Sequence, residues 1–141
     1  MTAKSTKRHS DSYKSEEVIH LSLQVNFAVR ENVLLVRLEG ELDHHEATGL
    51  REDWQKELNN DGIEHVIVNL QKLSFMDSSG LGVMLGRYKE VQAKGNEMMI
   101  CSISPEVRRL FDMSGMFKIM KLVDDEASAL EMLGVASCEM K

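Results

Sequence analysis

Hydrophobic and polar positions alternate with two periods along this chain, and the switches between them mark its elements. Leu21, Leu23, Val25, Phe27 and Val29 recur at every second position, the period of a strand with one buried face. Glu31-Asn32 makes a tight turn. Residues 33–40 (VLLVRLEG) continue as a second strand, so the two form a hairpin. The period then lengthens. Ala47, Leu50, Trp54 and Leu58 lie at helical spacing and predict a first helix over 44–59. Asp43, with Glu46 three residues on, opens it as a capping-box-like pair, and residues 59–62 (NNDG) close it. Residues 65–70 (HVIVNL) are an almost unbroken apolar run, as in a strand covered on both faces. Leu81, Met84, Leu85, Tyr88 and Val91 share one face of a second helix that stops at Gly95. Residues 97–103 (EMMICSI) read as another buried strand.

Ser104-Pro105 starts a third helix, with the hydroxyl as cap and proline at the first helical position. Val107, Leu110 and Phe111 form its inner face, and Gly115 is its left-handed stop. Residues 117–123 (FKIMKLV) make a last strand. A last helix follows, opened by acids that suit its positive end. The order β-β-α-β-α-β-α-β-α predicts a single α/β domain. It has a mixed, mostly parallel sheet of about five strands, an antiparallel pair at one edge, and about four helices.

Residues 1–20 are polar and without period, and are expected to be a disordered extension. The domain then spans 21–137, and 138–141 form a short tail. The 141-residue length suits one domain, and 43% hydrophobic residues suffice for its core. A net charge of −6 argues against direct nucleic-acid binding, which needs a basic face. Cys101 and Cys138 make no disulfide framework. No signal peptide or membrane-spanning run is evident, so a cytoplasmic location is expected. The ten methionines fall mostly on core stripes, with Met140, Met113 and Met116 as candidates for partial exposure.

The stretch LSFMDSSGLGVML, residues 73–85, sets an acid, two serines and a glycine between two apolar runs. Asp77 or Ser78 can cap the second helix through its free N–H groups. A cap explains one polar residue but not the whole run of small ones. In open α/β sheets, sites gather at the carboxyl ends of strands, where this stretch lies. A serine hydrolase would make Ser78 the nucleophile, with His44, His45 or His65 as base. Met76 stands where that elbow motif places glycine. A phosphate loop would need a longer glycine-lysine pattern. An acceptor-aspartate reading of Asp77 lacks an acidic pair after the first strand. The Asp43-His44-His45 run has adjacent histidines that do not share a helix face, so no metal is expected.

The blocks GELDHHEA, LSFMDSSGLGVMLGRYK, SPEVRRLFDMSGMFKI and LGVAS together resemble the anti-sigma factor antagonists of the STAS-domain family. The likeness runs over residues 21–137 and favours the sporulation members over the general-stress or transporter-linked ones. It implies a partner switch rather than an enzyme, with no cofactor. The unphosphorylated antagonist binds an anti-sigma factor that is also a serine kinase, and so frees a sigma factor. Phosphorylation of the first motif serine, here Ser78, ends the binding, and a PP2C-type phosphatase restores it. Asp43, Asp77, Ser79, Gly80, Leu81 and Gly82 are then expected at the partner surface, in a protein that is otherwise a monomer. The resemblance begins near Leu21. Glu16-Glu17-Val18 can be encoded by a purine-rich, ribosome-binding-like sequence, and Leu21 by an alternative start codon. Residues 1–20 are therefore expected to be translated upstream sequence, which the intact mass of the endogenous protein tests.

Overall fold

The computed structural model describes the backbone of residues 2–7 and the whole of residues 22–136. Its strands are β1 (Thr2–Lys7), β2 (Gln24–Arg30), β3 (Val33–Leu42), β4 (His65–Met76), β5 (Met98–Cys101) and β6 (Lys121–Val123). Its helices are α1 (His44–Leu58), α2 (Ser78–Ala93), α3 (Pro105–Ser114) and α4 (Glu126–Met132), with a 3₁₀ turn at Met116–Lys118. The strands lie in one sheet in the order β1-β2-β3-β4-β5-β6. β1 and β3 flank β2 in antiparallel fashion, and every later pairing is parallel. The five expected strands are thus β2 to β6.

Three departures from the sequence pattern have local causes. Thr2–Lys7 pairs with β2, where an extension without regular structure was expected. An edge strand offers its free N–H and C=O groups to any extended backbone, whatever its side chains. Residues 1, 8–21 and 137–141, including the rest of that extension and the short tail, lie outside the described residues. Second, the strand expected over 117–123 is confined to Lys121–Val123, because Gly115, at φ 78°, turns the chain into the 3₁₀ turn first. Third, Ser104 precedes α3 without capping it. Its Oγ instead donates to the carbonyl of Leu73 at 2.7 Å, tying α3 to β4.

Consecutive parallel strands laid down in one direction, each joined by a right-handed crossover, put their helices on one face. Accordingly Leu50 and Trp54 of α1, Val83 and Met84 of α2, and Val107 and Phe111 of α3 pack with Leu34, Val36, Val66 and Val68 in the larger core. Among the described residues the opposite face is covered by α4 and the chain just after it, through Ala129, Leu130 and Val135 against Val33, Leu35, Ile67 and Cys101. Burial pushes the Cys101 thiol up to about 12, so it is an inert core residue. An ion pair fastens the start of α4. Arg37 Nε and Nη2 donate to Glu126 at 2.7 and 3.0 Å, and Asn69 Nδ2 donates at 2.9 Å. Burial works against the Glu126 carboxylate, but these hydrogen bonds outweigh it and hold its pKa below the ordinary value.

β3 and β4 outrun their neighbours. Pairing of β2 with β3 stops at Gln24 and Glu39, and pairing of β4 with β5 stops at Asn69 and Cys101. β3 and β4 stay paired as far as Leu42 and Met76, through register shifts after Arg37 and Gly40. A two-stranded lip therefore projects from the carboxyl end of the sheet. Gly40, at φ 104°, allows it, since a Cβ there would stand 2.3 Å from the Ser22 carbonyl oxygen.

Candidate functional site

The lip ends in two aspartates, each of which starts a helix. Asp43 follows β3 and caps α1, and its Oδ1 accepts from the N–H groups of His45 and Glu46 at 3.0 and 3.2 Å. Asp77 follows β4 and caps α2, and its Oδ1 accepts from Ser79 and Gly80 at 2.9 and 3.2 Å. Their backbones are nearly superposable, with φ and ψ of −107° and −174° at Asp43 and of −108° and −171° at Asp77. The Asp77 N–H also donates to the Leu42 carbonyl at 3.3 Å, so the end of one strand positions the cap of the other. His44 Nδ1 stands 4.0 Å from Asp77 Oδ2 and bridges the two starts.

The expected site residues separate by role. Ser78 is exposed at the first helical position of α2, and its Oγ makes no hydrogen bond among the described residues. Ser79 is half-buried and gives its backbone N–H to the cap. Gly80 is buried. A Cβ there would lie 2.5 Å from Met76 Cγ and 3.0 Å from Leu42 Cδ2, so glycine is needed for α2 to reach the strand ends. Leu81 is half-buried against the larger core. Gly82 is exposed, with nothing within 4 Å of a Cβ built on it. Asp43, Asp77, Ser78, Ser79 and Gly82 thus share one accessible edge, while Gly80 and Leu81 support it from behind.

Other residues at this edge were not marked by the motif. A groove of about 360 Å³ runs from Ser79 between α1 and α2, lined by His44, Thr48 and Arg51 of one helix and Gly82, Gly86 and Arg87 of the other. Their helical spacing, on stripes beside the core residues Ala47 and Val83 that also line the groove, was the available signal. Phe75 is 45% exposed two residues before Asp77. Met113 is exposed as anticipated, whereas Met116 is buried. No group of three or more metal-ligating side chains occurs among the described residues. Among the described residues no histidine makes a hydrogen bond with Ser78 Oγ, and His44 instead faces the Asp77 carboxylate. The arrangement presents one free hydroxyl on a rigid helix start, ringed by backbone and small side chains.

The STAS domain model matches residues 24–129. The anti-sigma F factor antagonist of Paenibacillus polymyxa is 48% identical over 117 residues, which are 83% of this chain and all of that protein. The anti-sigma factor antagonist SpoIIAA in its unphosphorylated form superposes with a TM-score of 0.68 at 32% identity, over 81% of this chain and 98% of that one. The phosphorylated form of Bacillus SpoIIAA, described as a cell fate determinant, does so with a TM-score of 0.62 at 32% identity, over 77% and 98%. On its sequence, its sheet order and its paired helix starts, this chain belongs to the STAS-domain family, among the anti-sigma factor antagonists.

Proposed function

We propose that this protein is the phosphorylation-controlled half of a partner switch in the cytoplasm of a sporulating cell. Unphosphorylated, it binds an anti-sigma factor that is also a serine kinase, and the sporulation sigma factor is released. Transfer of phosphate to Ser78 ends the complex, and a PP2C-type phosphatase renews it. The chain acts by binding and catalyses nothing itself.

The observation that carries this reading is the free hydroxyl of Ser78 at the first position of α2, beside a turn held by Asp77. A phosphoserine there carries about −1.5 to −2 charges at the positive end of a helix, so the fold tolerates it. The same charge and bulk, pressed into a surface fitted to a neutral hydroxyl, oppose docking. Phosphorylated and unphosphorylated SpoIIAA both share this fold, which agrees with a switch at the surface rather than in the core. No described helix is long and apolar enough to cross a membrane.

Mass spectrometry with peptide mapping, after incubation with an anti-sigma F factor and ATP, tests the assignment. The parent chain takes one phosphate, on Ser78. Ser78→Ala takes none and still binds, while Ser79→Ala is still phosphorylated. Phosphate on Ser79 of the parent chain, or on Ser78→Ala, refutes it.

A further inference from the structure

Among the exposed large apolar side chains of the described residues, Phe75 is the sole aromatic one. It lies on the β4 strand of the lip, outside both core clusters, where β4 has β3 as its one neighbouring strand. Leu73 and Met76 on either side of it are buried, so the lip is already anchored to the core without it. The chain therefore leaves nearly half of an aromatic residue in water at the edge that carries Ser78, outside the packed core. Its register partner on β3 is Glu41, preceded by Gly40 with Leu73 and, one pair earlier, Glu39 with Lys72. Asp43 and Asp77 follow at the two strand ends. By register and sequence, Glu41, Asp43 and Asp77 therefore stand along the edge that carries Phe75.

Resting on the functional reading above, we infer that Phe75 is the apolar anchor by which the lip docks on the anti-sigma factor. It inserts against an apolar side chain of that partner, beside a lysine or arginine that faces Glu41. Buried aromatic anchors dominate binding energy at such surfaces, and a rim of opposite charge orients the approach. This gives the docking surface two separate parts. One is an anchor that is always present, and the other is a hydroxyl that phosphate can spoil.

Calorimetric titration of the unphosphorylated full chain with an anti-sigma F factor tests this. Phe75→Ala is expected to bind on the order of 30-fold more weakly than the parent, with Phe75→Leu in between. Met113→Ala is the control. Met113 is 78% exposed in the last turn of α3, at the opposite end of that helix from the lip, and its loss should change affinity less than about twofold. The melting temperature of Phe75→Ala should fall by only a few degrees, since the ring lies outside both core clusters, so the loss of affinity is not a loss of fold. Parent-like affinity of Phe75→Ala overturns the anchor alone. Failure of the parent chain itself to bind overturns the functional reading and the anchor with it.

Discussion

The starts of α1 and α2 are built on the same backbone and differ in what they display. Each follows a parallel strand of the lip, each is capped by an aspartate, and their dihedral angles agree within a few degrees. After the cap α1 continues His44-His45-Glu46, with Glu46 buried, and α2 continues Ser78-Ser79-Gly80, with Gly80 buried. Cap geometry alone is therefore not what sets the proposed regulatory site apart. What distinguishes α2 is a small hydroxyl at its first position and a glycine that seats the helix close against Met76 and Leu42.

The largest effect expected from testing this contrast is on binding. Ser78→Asp puts a carboxylate into an interface fitted to a hydroxyl. Burying it unpaired should cost about 3 kcal/mol, more than a hundredfold in affinity by calorimetry, with the melting temperature unchanged. The companion variant His44→Ser gives α1 the same first residue as α2. On the proposed function it should still take a single phosphate, on Ser78, since the α1 start lacks the small residues that follow Ser78 in α2. Phosphate on residue 44 would show that the cap and a serine suffice.

A smaller effect concerns stability. Gly80→Ala forces a methyl group against Met76 and Leu42 and should cost about 1–3 kcal/mol in urea unfolding. Gly82→Ala, in open space two residues on, should gain about 0.5–1 kcal/mol. Equal effects at the two glycines would remove the close approach of α2 as the reason for Gly80.

The smallest effect is at the caps. Asparagine caps as well as aspartate, so Asp43→Asn and Asp77→Asn should each change unfolding free energy by less than about 0.5 kcal/mol, whereas alanine at either place costs about 1 kcal/mol. If binding then falls for Asp43→Asn alone, its charge and not its cap is what a partner reads.

Much of this was legible in the residue pattern because the pattern and the physics coincide. The alternation in β2 and the 3.6-residue stripes of α1 and α2 mark faces that are buried in the fold. Asp43 was readable as a cap because Glu46 and an apolar stripe follow it. The extension of β4 from Gln71 to Met76 was not legible, since the lip exposes Gln71, Lys72, Ser74 and Phe75 and so breaks both strand patterns. Ser104 was misread because a hydroxyl before proline signals a cap, while a carbonyl from a distant strand took the bond. Ser78 stood out through the motif. Phe75 did not, because an aromatic residue in an apolar run reads as core until burial is seen.

The hydrogen bond from the Asp77 N–H to the Leu42 carbonyl has a kinetic consequence. It joins the two helix starts into one preformed surface, so little remains to be ordered on encounter. Association should then proceed at the rate typical of rigid partners, about 10⁵–10⁷ M⁻¹ s⁻¹, and phosphate should act mainly by shortening the lifetime of the complex. In the proposed switch the tempo would then be set by how fast enzymes add and remove the phosphate, not by reordering of the two helix starts.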